Sequence, residues 1–180
     1  MRITHEMGIE EVAAFVCSRL REAGLEVFLS GDAVVSIYTH NRYESHDLDF
    51  VTIASYKKLE AEMKKMGFSK EAGRHFVHPE SKIFVEFPGY AVAIDDEPIR
   101  EFAERRTPYG VLKLLTPTDC VKDRLAAFYH WNDRQGLEQA VLVTTSQPVQ
   151  LAEIERWSKS IRMQDRYREF RDELQKTRDE

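Results

Sequence analysis

Residues 45–53 read SHDLDFVTI, which sets two aspartates, Asp47 and Asp49, at the front of an apolar run. The run has the composition of a strand. On a strand, alternate residues share a face, so the two carboxylates point the same way, about 7 Å apart along the backbone. Like charges that close repel unless something positive lies between them. A fold that contains this strand must therefore supply a cation beside it.

The neighbouring segments indicate what the strand belongs to. Ile9, Val12, Ala13, Val16 and Leu20 fall at helical spacing and predict a helix over 9–23, with Gly24 as its C-terminal cap. LEVFL (25–29) reads as a strand, SGD breaks it, and AVVSIYTH becomes a short helix through the spacing of Val34, Ile37 and Tyr38. DLDFVTI is the second strand. Tyr56, Leu59, Met63 and Met66 predict a helix over 55–66, stopped by Gly67. RHFVH and KIFVEF read as a hairpin, PGY as a turn and VLKLL as a last strand. The tract AIDDEPIREFAERRTPYG is polar and receives no assignment.

The chain then turns helical. Thr116 can cap, Pro117 suits the first turn, and Asp119 suits the positive end of the dipole, so a helix should run from here to about Trp131. Another is expected near 137–145. Beyond Pro148, Ile154, Trp157 and Ile161 form a stripe that Met163, Tyr167, Phe170 and Leu174 continue with drift. The stripe predicts one long terminal helix docked on the domain or on a partner chain. The resulting fold class is α+β: a mixed sheet with flanking helices over residues 1–115, followed by a helical region over 116–180.

Bulk properties narrow the setting. The chain has 180 residues, 42% of them hydrophobic, enough for one real core. A net charge of −5 gives no support to a nucleic-acid binder. Cys17 and Cys120 lack metal spacing and read as free thiols of a reducing compartment. No apolar run reaches the length of a membrane span and the N-terminus lacks a signal peptide, so the expected location is cytoplasmic, with no membrane partner. His75 and His78 stand three apart on a strand, face opposite ways and cannot easily share a zinc ion.

The chemistry centres on a third acid. Glu86 sits in KIFVEF, a strand that otherwise wants apolar residues. If that strand lies beside DLDFVTI, three carboxylates converge on one side of the sheet. Such an oxygen-rich set suits Mg²⁺ or Mn²⁺, which take one or two carboxylates plus phosphate oxygens. A pair of such ions is the clamp for in-line displacement at phosphorus. Upstream, VFLSGD is a strand ending in Ser30 and Gly31. The glycine lets backbone N–H groups approach a phosphate, and the helix start adds partial positive charge. Arg42, in the loop before the acidic strand, can pair with a neighbouring acid or touch a triphosphate. Lys122 and Arg124, two apart on a helix, face different directions, so at most one points at the site.

Together, LSGDAVVSIY, RYESHDLDF and IFVEF resemble the nucleotidyltransferase superfamily of the DNA polymerase β type, over roughly residues 25–90. A weaker echo, LTPTDCVKDRLAAFYHWNDRQGLEQAV, is similar to the helical segment that follows the core in small bacterial members, including those of abortive-infection and toxin–antitoxin systems. The resemblance implies metal-dependent transfer of a nucleoside monophosphate from an NTP to an acceptor hydroxyl, with release of pyrophosphate. It makes Gly31 the turn glycine, with Ser30 beside it at the phosphates. Asp47 and Asp49 become the paired metal ligands, Glu86 the third acid, and Arg124 a neighbour of the nucleotide phosphates. The implied acceptor is tRNA, a protein hydroxyl or a small molecule, and a protein partner or second copy could dock on the C-terminal helix. Three features depart from the family pattern: Asp32 follows Gly31 in place of Gly or Ser, the third acid is Glu, and Gly136 and Gln139 stand where relatives tend to carry acids. Asp32 motivates the alternative expectation of a nucleotide-binding or protein-interaction module with little or no catalysis.

Overall fold

The computed structural model describes residues 2–71, 73, 75–89 and 92–179. In chain order the elements are α1 (Ile9–Glu22), β1 (Phe28–Ser30), α2 (Asp32–Tyr38), β2 (Asp47–Val51), α3 (Tyr56–Lys65), β3 (Ser69–Lys70), β4 (Phe76–Val77) and β5 (Phe84–Glu86). They continue with β6 (Ala93–Ile94), β7 (Glu97–Pro98), β8 (Phe102–Thr107), β9 (Gly110–Leu115), α4 (Pro117–Trp131), α5 (Arg134–Ser146), α6 (Leu151–Ser160) and α7 (Gln164–Asp179). Among the described residues the strands form a seven-stranded sheet in the order β3-β4-β5-β2-β1-β9-β8, with β6 and β7 as a separate hairpin. β2 runs parallel to β5 and β1 parallel to β9, while the remaining pairs are antiparallel. The fold is thus α+β, a mixed sheet with flanking helices.

Register sorts the side chains. Leu29 pairs with Phe50 and Leu114, Leu48 with Val85, and Val85 with Phe76. All six are buried, and paired or alternate positions share a face, so they make the sheet's contribution to the core. The residues between them, Ser30, Asp47, Asp49, Phe84 and Glu86, share the opposite face, and none of these is fully buried. The one-in, one-out alternation of β2 thus reads directly as core side against open side.

Helix α1 lies close along β9. The Val111 N–H donates to Ser18 Oγ at 2.7 Å, and a Cβ on Gly110 would stand 2.8 Å from the Ala14 carbonyl oxygen. Helix α4 begins as its sequence dictates: Thr116 Oγ1 accepts the Asp119 N–H at 3.1 Å, with Pro117 in the first turn. The α4–α5 turn is equally tight, because a Cβ on Gly136 would stand 2.7 Å from the Arg124 carbonyl oxygen.

The structure departs from the sequence reading in several places. The first strand is only Phe28–Ser30, because Leu25 and Val27 are buried in the approach without joining the ladder. The unassigned polar tract holds β6, β7 and β8; β8 is a sheet edge whose charged Glu104 and Arg106 disguise its alternation. Helix α5 starts earlier, at Arg134, since Asp133 caps it by accepting the Gln135 N–H at 3.0 Å. The single long terminal helix is two. Arg162, with φ of 62°, breaks the chain between α6 and α7, which is why the apolar stripe drifts. Ile154, Trp157, Tyr167, Phe170 and Leu174 are buried, and α7 packs on α5 and α6. Among the described residues no helix is long and apolar enough to cross a membrane. Tyr90 of the expected PGY turn and Arg74 of RHFVH lie outside the described residues.

Candidate active site

The site grows from the end of β1. Ser30 pairs in register with Asp49, and its Oγ donates to the Asp49 carbonyl oxygen at 3.3 Å. Gly31 then adopts φ 74° and ψ −157°, a conformation open essentially to glycine alone. A Cβ there would stand 2.6 Å from Asp49 Oδ2, so the glycine also makes room for that carboxylate. The helix that follows, α2, has only seven residues, which limits the dipole the sequence reading relied on at this turn.

On the other side of β2, Asp49 stands in register with Glu86, and Asp47 with Phe84. The parallel pairing of β2 and β5 thus brings the predicted acids onto one open face. Their mutual charge is felt: burial, Glu86 and Asp47, in that order, push the Asp49 carboxyl up to about 6, while Arg124 opposes the rise. The acids do not, however, close around a ready-made metal position. Among the described residues no three His, Cys, Asp or Glu side chains stand together as an ion-holding group. One reason is visible in Glu86, whose Oε1 lies 2.5 Å from His75 Nε2. Asp47 is exposed at the start of its strand.

The donor set nonetheless fits a hard divalent cation. The donors are carboxylate oxygens, and their mutual repulsion, seen in the raised Asp49, is what a cation would relieve. Glu86 would join such a set only on leaving His75. This histidine meets Glu86 because β4, which it precedes, pairs antiparallel with β5. Next to it Phe84 is 38% exposed on the acid face, with the His75 ring 6.2 Å from its own.

Asp32, the acid that follows the Gly31 turn, pairs with a cation. Arg124 Nη1 donates to Asp32 Oδ1, and Arg124 Nη2 donates to Asp123 Oδ2 at 2.6 Å. Tyr43 donates its hydroxyl to Asp32 Oδ2 at 2.7 Å and accepts from Gln135 Nε2 at 2.8 Å. Burial and the Asp32 hydrogen bond push the Tyr43 hydroxyl up to about 12. Burial works against the charge on Arg124, but Asp123 and Asp32 more than offset it and hold the guanidinium protonated. Tyr43, Gln135 and Asp123 carried no signal in the sequence, since their roles depend on which side chains the fold brings to them.

The other sequence candidates fall elsewhere. Arg42 is exposed in the loop before β2. Lys122, pointing away from Arg124 as their spacing requires, donates to Glu97 Oε1 at 2.9 Å and Glu153 Oε1 at 2.8 Å. Cys17 and Cys120 are both buried.

No family model and no curated protein matches the sequence. Among solved structures, the solution structure of the antibiotic-resistance factor ANT(2'')-Ia is similar to this chain with a TM-score of 0.48 at 15% identity, over 94% of this chain and 96% of that one.

Proposed function

We propose that this protein transfers a nucleoside monophosphate from an NTP to an acceptor hydroxyl, releasing pyrophosphate. The observation that carries the reading is the register of β2 against β5, which sets Asp49 beside Glu86 with Asp47 on the same open face, next to the Gly31 turn. Asp47 and Asp49, joined by Glu86, would hold Mg²⁺ or Mn²⁺, which would supply charge neutralisation at the phosphates and a lowered pKa for the acceptor hydroxyl. The chain's own residues do the rest. The Gly31 turn lets the triphosphate approach the backbone closely beside Ser30. The acceptor would be a tRNA, protein or small molecule. Without a cation, burial and the neighbouring acids push the Asp49 carboxyl up to about 6; a bound divalent cation would relieve that repulsion and favour the ionised form.

The test is label transfer from α-³²P NTPs, or pyrophosphate release, over a panel of acceptors for the wild type and Asp49→Ala. A signal lost in the variant supports the reading; equal signals overturn it. A second reading rests on a specific observation: Glu86 is engaged by His75 and Arg124 by Asp32. Engaged in this way, the fold would serve as a nucleotide-binding module with little turnover. Calorimetry with Mg²⁺ and NTP that registers binding, together with no transfer to any acceptor, would favour it.

A further inference from the structure

Arg124 has an unusual set of partners for a largely buried guanidinium. Nη2 is tied to Asp123, its neighbour on α4, and Nη1 to Asp32 on α2. Its Nε–H is buried and has no partner. A buried N–H left unpaired costs free energy comparable to a lost hydrogen bond, so the group is one acceptor short. The two ends of the Arg124–Asp32 pair also differ in freedom. The Arg124 side chain is 16% exposed and the Asp32 side chain 35%. The arginine is held from behind by α4, whereas the aspartate can turn towards water and keep its hydrogen bond from Tyr43.

Place adds to this. Asp32 directly follows Gly31, whose missing Cβ leaves room for Asp49 Oδ2. Arg124 and Asp32 are both close enough to act electrostatically on Asp49, with opposite signs. Beside the Gly31 turn there is thus the more exposed Asp32 carboxylate, paired with a less exposed guanidinium that has a spare donor. Carboxylate and phosphate oxygens compete for the same fork of N–H groups.

We infer that Asp32 is the resting counter-ion of Arg124, and that the polyphosphate of a bound nucleotide takes its place on the guanidinium. The inference rests on the nucleotidyl-transfer reading and adds a positioning residue to it. In the free protein Asp32 keeps Arg124 neutralised and aimed at the turn. On binding, phosphate oxygen takes the Nη1 and Nε donors, and Asp32 retains only Tyr43. The exchange lowers nucleotide affinity by the fraction of time Arg124 spends with Asp32. It also accounts for an acid standing where the family pattern has a small neutral residue.

The experiment is binding of non-hydrolysable NTPs with Mg²⁺, by calorimetry, to the wild type, Asp32→Asn, Asp32→Ser, Arg124→Gln and the Asp32→Asn/Arg124→Gln double variant. Removing the competing charge should tighten binding about tenfold in Asp32→Asn and Asp32→Ser. Arg124→Gln should weaken binding more strongly in the Asp32→Asn background than in the wild type, because only there is the guanidinium free. A contact that merely ties α2 to α4 predicts the opposite sign: binding unchanged or weaker in both Asp32 variants. That result, or loss of fold in both, overturns the inference. Nucleotide binding in the wild type without tightening in the variants refutes the exchange alone. If no nucleotide binds to any variant, the wild type included, the nucleotidyl-transfer reading fails with it.

Discussion

Substitution of Asp49 by Asn should make the protein more stable while depriving it of function. The carboxyl rises from its ordinary 3.8 to about 6, first because it is buried and then because Glu86 and Asp47 face it. That difference is worth about 3 kcal/mol at 1.36 kcal/mol per pH unit. The sign follows from proton counts. Between pH 4 and 6 the folded chain holds a proton here that the unfolded chain has released, so stability falls as pH rises through that window. Above pH 7 the native state carries the whole penalty. Asparagine has nearly the same shape and no charge, so Asp49→Asn should exceed the wild type by about 2–3 kcal/mol at pH 8 in urea unfolding. The advantage should shrink below about 1 kcal/mol at pH 4, where the wild-type carboxyl is protonated in the native state. Millimolar Mg²⁺ should stabilise the wild type more than the variant, which keeps Asp47 and Glu86 but has lost one of the three charges on this face. An advantage that is absent at pH 8, or that does not vary with pH, would refute the claim that uncompensated charge is gathered on this face.

Other expectations concern the scaffold around the site. Gly31→Ala puts a Cβ 2.6 Å from Asp49 Oδ2 at a backbone conformation reserved for glycine, and should cost about 1–3 kcal/mol in urea unfolding. Gly136→Ala drives α5 into the Arg124 carbonyl at 2.7 Å, and should lower stability by about 1–3 kcal/mol on the same assay. Lys122, 4% exposed, bridges Glu97 and Glu153, so Lys122→Met leaves these carboxylates to Arg156 alone and should cost about 2 kcal/mol at pH 7. Arg156 and Lys122 hold the Glu153 carboxyl down to about 2. This stabilisation is present above the ordinary glutamate range and fades as pH falls towards 2, so the Lys122→Met deficit should narrow in acid melts.

Much was legible in one dimension because its causes are local. The cap at Thr116, the stops at Gly24 and Gly67, and the strand–glycine–helix run at 28–38 depend on φ preferences and hydrogen bonds among near neighbours. So does the shared face of Asp47 and Asp49, which follows from the two-residue period of any strand. Short or charged elements were hidden for the same reason. β3, β6 and β7 have two residues each, too few to carry a period, and the terminal stripe does not reveal that Arg162 interrupts it.

What the chain determined by itself, then, was the run of main elements from α1 to α3, the shared face of Asp47 and Asp49 on β2 and the glycine turn that follows β1. Tertiary structure alone decided the partnerships between distant charges: Glu86 beside Asp49 and bonded to His75, Asp32 on Arg124, Lys122 between Glu97 and Glu153. Spacing along a sequence specifies which way a side chain points on its own element. It says nothing about which opposite charge another element will bring within 3 Å, and at that distance Coulombic attraction and hydrogen bonding, rather than propensity, set protonation state and availability for chemistry.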